Sequence, residues 1–187
     1  HTLRPVIQAA FDSLAAQLEE AYRIGLTLPL PANRQYRGVV LTGVGGSIQA
    51  ADLFSAYAAP FCPLPVALHR DYDLPKWASG EDVLVVALSL GGNAEETLAA
   101  VEAAHQRGCA VLAMGRAGKL KELAEQHGYP FWQVNFAGPP RASVGWFFGY
   151  LLALFFRLGL IPDPAQELMA AVETLQAQQA KIGADVP

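Results

Sequence analysis

Val83-Leu84-Val85-Val86-Ala87-Leu88-Ser89-Leu90-Gly91-Gly92-Asn93-Ala94-Glu95-Glu96-Thr97-Leu98 passes from an unbroken apolar run, through a glycine turn, into a segment of helical composition. An apolar run without alternation is a strand covered on both faces, and such strands belong to parallel sheets held between helical layers. The same passage occurs upstream, where Val39-Val40-Leu41 leads into Gly43-Val44-Gly45-Gly46-Ser47 and a second helix-like stretch. Glycine lets the backbone come close to a ligand, and the helix start behind it offers unpaired N–H groups and the positive end of its dipole to an anion. Two such turns at strand C-termini, with Arg141 downstream, point to a phosphorylated small molecule.

Outward from these turns, strand and helix alternate along the chain. Strand-like runs fall near Gly38–Thr42, Val66–His69, Asp82–Leu88, Cys109–Met114 and Phe131–Val134. Helices fit near Ser47–Ala59, Ala94–Arg107, Lys119–His127, Ala142–Leu158 and Pro164–Gln179, after an amphipathic opening helix around Val6 to Arg23 in which Ala10, Leu14, Leu18 and Ala21 recur at helical spacing. The pattern predicts an α/β fold: a three-layer αβα sandwich around a five-stranded parallel sheet, with the binding crevice outside the strands' C-terminal ends.

The 187 residues, 52% of them hydrophobic, suffice for one substantial core, and no Pro/Gly/Ser-rich linker divides them, so a single domain is expected. A formal charge of −4 gives no general attraction to nucleic acid or to an anionic membrane, and an anionic ligand must be held by local donors. The two cysteines, Cys62 and Cys109, read as buried thiols of a reducing, cytoplasmic compartment rather than as a disulfide frame. No metal-ligand spacing and no cofactor motif is read. His1 in place of methionine, with no signal-peptide pattern before the fold, marks a tag remnant or an artificial start.

The run Val144-Gly145-Trp146-Phe147-Phe148-Gly149-Tyr150-Leu151-Leu152-Ala153-Leu154-Phe155-Phe156 stops at Arg157 after 13 residues, short of the roughly 20 needed to span a bilayer. It reads as a buried helix. Its all-round hydrophobicity implies the sheet on one side and another subunit or domain on the other, hence a dimer.

Four segments in one order, Gly43-Val44-Gly45-Gly46-Ser47, Arg70-Asp71-Tyr72-Asp73-Leu74-Pro75, Ser89 to Leu98, and Pro140-Arg141-Ala142-Ser143-Val144-Gly145, give the chain a family resemblance. From about Leu14 to the C-terminal helix it resembles the first sugar isomerase (SIS) domain of the bifunctional phosphoglucose/phosphomannose isomerases. The resemblance implies a flavodoxin-like SIS fold that binds a sugar phosphate. It also implies that the glutamate and histidines of the chemistry lie in a second SIS domain, with a further lysine, all beyond Pro187.

Residue by residue, the resemblance puts Gly45, Gly46 and Ser47 on the substrate, and Ser89, Gly91, Gly92, Asn93 and Ala94 on its phosphate. The family's loop reads Ser-Tyr-Ser-Gly-Asn-Thr. Here Ser89 keeps the first hydroxyl, while the next two hydroxyl positions hold Gly91 and Ala94. Hydrogen bonds to a charged group contribute about 1.5–3 kcal/mol each, so two readings stand: a loop that grips phosphate through its backbone, or a turn that has become structural. Arg141 matches the family's active-site arginine, whose fixed cation faces the reacting oxygens and stabilises an enediolate; a surface arginine after Pro139-Pro140 is the plainer reading.

Local chemistry offers alternatives elsewhere too. Ser47 also suits the N-cap of its helix, and Asn93 with Glu96 forms a capping-box pattern. An internal ion pair and a packed tyrosine account for Arg70-Asp71-Tyr72. His69 and His105 have no catalytic context, and His127 before Gly128 suits the negative end of a helix.

Aldose–ketose isomerisation needs an acid to open the ring and a base to carry a proton between C1 and C2. The chain therefore reads as the sugar-phosphate-binding half of an isomerase acting on glucose 6-phosphate or mannose 6-phosphate, inert alone, its site completed by a second SIS domain or an identical subunit. A non-catalytic SIS module for sensing a sugar phosphate or for dimerisation is the other reading.

Overall fold

The computed structural model describes residues 12–32 and 35–184. Its elements, in chain order, are α1 (Leu14–Gly25), β1 (Gly38–Gly43), α2 (Gly45–Ala58), β2 (Val66–His69), β3 (Val83–Leu88), α3 (Glu95–Gln106), β4 (Ala110–Gly115), α4 (Lys119–His127), β5 (Phe131–Gln133), a 3-10 turn (Pro140–Ala142), α5 (Val144–Arg157) and α6 (Ala165–Ala184). The first part of the expected opening helix, and the start at His1, lie outside the described residues.

The five strands form one parallel sheet in the order β2-β1-β3-β4-β5. This is the flavodoxin-like order, and its direction reverses between β1 and β3. Side chains of successive strand residues leave on opposite faces, so each strand feeds two cores. Val39, Leu41, Leu84, Val86, Leu112 and Met114 join α1, α2, α5 and α6 on one face. Val40, Val83, Val85, Ala87, Val111 and Ala113 join α3 and α4 on the other. The unbroken apolar runs are thereby explained.

The aromatic helix α5 departs from expectation. It is covered within the chain, and the apolar surface predicted to need another subunit or domain is taken up by α1 and α2. Two glycines one turn apart make this possible. A Cβ at Gly145 would stand 2.7 Å from Gln17 Cβ, and one at Gly149 would stand 2.6 Å from the Leu18 carbonyl oxygen, so α1 lies directly on the α5 backbone. Arg157, ending α5, donates to the carbonyl of Gly25 at 2.8 Å and to that of Leu28, closing the C-terminal end of α1. No helix among the described residues is long and apolar enough to cross a membrane.

Cys62 and Cys109 are both free thiols. Burial pushes the Cys109 thiol up, which keeps it protonated and unreactive at neutral pH.

Candidate functional site: a crevice at the β1–β3 switch point

β1 and β3 pair in register to their last residues, Gly43 opposite Leu88, so the glycine turns that follow them emerge side by side. The chain then parts. The first turn enters α2 on one face of the sheet, and the second enters α3 on the other, which leaves a crevice between two helix starts.

In the first turn Val44 takes the N-cap position and supplies no side-chain hydrogen bond. Gly45 adopts φ +59°, a conformation natural only to glycine. Ser47 is thus the third residue of α2, not its N-cap as expected. It is only 3% exposed, and its Oγ has no hydrogen-bond partner among the described residues. Gly46 is the point of closest approach: a Cβ there would stand 2.5 Å from the Pro140 carbonyl oxygen and 2.8 Å from Arg141 Cα.

That contact brings Arg141 beside the first turn from far along the chain. The 3-10 turn carrying it is fixed by its neighbours. Ser143 Oγ donates to the Pro140 carbonyl at 2.7 Å, and Gln17 Nε2 reaches over from α1 to the Ala142 carbonyl at 3.0 Å. Arg141 itself is exposed and has no ion pair or hydrogen bond among the described residues. A clamped backbone thus carries a free cation.

The second turn is engaged differently. The Gly92 N–H donates to Ser89, to its carbonyl at 3.1 Å and its Oγ at 3.2 Å. Asn93 and Glu96 do not form the expected capping box, for Ala94 is the N-cap of α3 and no side chain caps it. Asn93 turns to the adjacent loop instead: its Oδ1 accepts from the Lys119 N–H at 3.1 Å, while its Nδ2 donates to the Gly91 carbonyl at 3.2 Å. Leu120 N–H donates to the Gly92 carbonyl at 2.8 Å, and Arg116 N–H to that of Leu90 at 2.9 Å. Gly118, preceding α4, has no side chain with which to cap it, so Asn93 does this from across the sheet's end. Asn93→Ala is accordingly expected to cost about 1 kcal/mol of stability and to speed hydrogen exchange at Lys119; unchanged exchange there would contradict the cap.

The Arg70-Asp71-Tyr72 segment also differs from expectation. Arg70 pairs with Asp52 of α2 at 3.5 Å rather than with its neighbour, and Asp71 Oδ1 accepts from the Tyr72 N–H at 2.8 Å. Tyr72 is 51% exposed, not packed, and the nearby carboxylate of Glu96, with a smaller contribution from Glu95, raises its hydroxyl pKa. Both glutamates belong to the first turn of α3. Pattern reading passed over this acidity at the crevice mouth, although Glu95-Glu96 directly after the turn was its signal.

None of the histidines belongs to either glycine turn. His69 ends the edge strand β2, and its Nε2 is buried without a partner. His105 Nδ1 lies 2.7 Å from the Tyr129 hydroxyl, and its ring stacks on His127 at 3.7 Å between centroids. His127 lies in the last turn of α4 as expected, with Glu102 3.5 Å from its Nε2. A groove of about 490 Å³ runs between α1 and α6, past Tyr22, Leu168 and Met169, but shares no residue with either glycine turn. Shape alone does not mark the crevice; its convergent donors do.

Comparison with known proteins agrees with this fold. No family model matches the chain. A bifunctional phosphoglucose/phosphomannose isomerase from Caldicellulosiruptor bescii is 35% identical over 176 residues, which are 94% of this chain and 52% of that protein. The chain is a sugar isomerase (SIS) domain related to the bifunctional phosphoglucose/phosphomannose isomerases. It spans about half the length of that relative. Among solved structures, tagatose-6-phosphate ketose/aldose isomerase from Escherichia coli superposes with a TM-score of 0.59 at 17% identity, over 95% of this chain and 50% of the other. The Vibrio vulnificus NanR protein complexed with ManNAc-6P has the same fold, with a TM-score of 0.55 at 16% identity, over 96% of this chain and 68% of the other.

Proposed function

We propose that this chain is the N-terminal, sugar-phosphate-binding SIS domain of a phosphoglucose/phosphomannose isomerase, taking glucose 6-phosphate or mannose 6-phosphate in the crevice between the two glycine turns. One observation carries the reading: Gly46 packs against the Pro140–Arg141 backbone, so that a free guanidinium, a helix start and an unpartnered serine hydroxyl share one end of the sheet. An anion is the ligand such a set recognises.

Ring opening and proton transfer between C1 and C2 need an acid and a base placed on the sugar. The crevice offers binding groups and a cation, and the acid–base pair comes from a second SIS domain or an identical subunit. The isolated chain is therefore inactive and binds without turnover. A relative about twice as long supports this division of labour. The free thiols of Cys62 and Cys109 support a cytoplasmic setting.

Isothermal titration of the chain is expected to show glucose 6-phosphate binding with a dissociation constant between micromolar and millimolar, glucose itself binding at least tenfold more weakly. Equal affinity for the two would remove the phosphate from the site and the reading with it.

The second reading, a non-catalytic sensing module, is favoured by the missing hydroxyls at Gly91 and Ala94, and a NanR protein with bound ManNAc-6P shares the fold. The two readings part on turnover. An isomerase in its complete form interconverts the sugar phosphates, whereas a sensor binds them without reaction.

A further inference from the structure

Given a sugar phosphate as ligand, the reading on which this rests, the second glycine turn has few side-chain donors of its own for the anionic end. Gly91, Gly92 and Ala94 carry no polar side chain, Ser89 Oγ already accepts from the Gly92 N–H at 3.2 Å, and Asn93 is taken up by Lys119 and Gly91. Glu95 and Glu96, in the first turn of α3, add like charges beside it. We propose that Arg116, directly after β4, makes up this deficit: its guanidinium binds the phosphate over the second turn.

The fold brings Arg116 to that turn through its backbone. β4 pairs with β3 as far as Met114 opposite Leu88, and the Ser89 N–H donates to the Met114 carbonyl at 3.0 Å. Gly115 follows without a side chain, where a Cβ would strike the Ser89 carbonyl oxygen. The Arg116 N–H then donates to the Leu90 carbonyl at 2.9 Å, one residue before Gly91. Its side chain is exposed, and Nη1 donates to the Phe136 carbonyl at 3.0 Å. Phe136 belongs to the stretch that joins β5 to the Pro140–Arg141 turn, and that turn packs on Gly46. A guanidinium tied to this stretch, on a backbone tied to Leu90, lies between the second turn and the Arg141 side of the crevice.

Charge pairing sets Arg116 apart from other arginines. Arg37, Arg70 and Arg107 each meet an aspartate, at 2.9, 3.5 and 2.6 Å. Arg116 and Arg141 meet no carboxylate among the described residues, and both stand at the C-terminal end of the sheet. One N–H of the Arg116 guanidinium is used on Phe136, and the rest of its planar fork suits two phosphate oxygens at once.

Calorimetry of the intact chain tests this, with glucose 6-phosphate, inorganic phosphate and glucose as ligands and melting curves as the folding control. Arg116→Gln is expected to weaken binding of both phosphates roughly tenfold to hundredfold, to leave glucose within about twofold, and to melt close to the parent. Arg116→Lys keeps the charge without the fork and recovers part of the loss. Arg23→Gln, which removes the same charge from the groove between α1 and α6, leaves all three ligands within about twofold. Unchanged glucose 6-phosphate binding in Arg116→Gln would overturn the assignment. So would an equal loss for glucose 6-phosphate and glucose, which would make Arg116 a strut for the Phe136 stretch. If Arg116→Gln does not fold, Arg116→Lys decides: a loss confined to the phosphates supports the assignment, and equal losses or none overturn it. The sugar-phosphate reading survives each of these failures as long as the parent prefers glucose 6-phosphate to glucose; a parent without that preference overturns both.

Discussion

Gly92→Ala is expected to lower the melting temperature by roughly 10 °C, whereas Gly91→Ala, one residue earlier, leaves it nearly unchanged. Gly92 has φ +72°, where an L side chain is strained by about 1–2 kcal/mol. Its Cβ would also fall 1.7 Å from the Ala117 carbonyl oxygen, a backbone atom with no rotamer by which to retreat. Forced repacking costs about a further 1–3 kcal/mol, for a total near 3–4 kcal/mol. Gly91 has no positive φ, and its Cβ would meet open space. The pair separates turn geometry from turn composition. Melting the two variants side by side is the check, and equal losses in both would mean that the loop is not locked to the α4 turn as described.

The second large effect lies in the helical layer. Gly149→Val is expected to destabilise the fold by about 3 kcal/mol, because the first added carbon already stands 2.6 Å from the Leu18 carbonyl oxygen and 2.8 Å from Ala21 Cβ. Both obstacles belong to the body of α1, so α1 must move away, and Trp146, Phe147 and Tyr150 lose cover with it. A β-branched residue recovers little through helix propensity. Urea unfolding should show a lower midpoint with an unaltered slope, the mark of lost stability without a changed denatured state. A variant as stable as the parent would show that α1 does not cover α5, and the aromatic face would then be open to another chain.

Much of this architecture is written locally. The covered strands are unbroken apolar runs, and glycine or proline stops them. For that reason Val66–His69 and Lys119–His127 were predictable to the residue, and most other elements within one to three residues at an end. The α/β class, the parallel sheet and the glycine turns at strand ends follow from patterns a few residues long. So does the candidacy of Ser47, Ser89 and Arg141, each recognisable from its immediate neighbours.

Contacts between distant segments decided the rest. The order β2-β1-β3-β4-β5 sets the two turns side by side, and no local pattern states which strand pairs with which. Asn93 reads as the cap of its own helix, yet the N–H nearest its Oδ1 in space is that of Lys119, and a hydrogen bond forms with the nearest donor, not the next one along the chain. The aromatic α5 reads as a face awaiting a partner; Gly145 and Gly149 admit α1 against its backbone, and their meaning depends on which helix arrives there. Arg141 meets Gly46 for the same reason. Short-range sterics and hydrophobic periodicity act within a single element and can be read from it, whereas caps, cover and charge around a site depend on which groups folding brings within a few ångströms of each other.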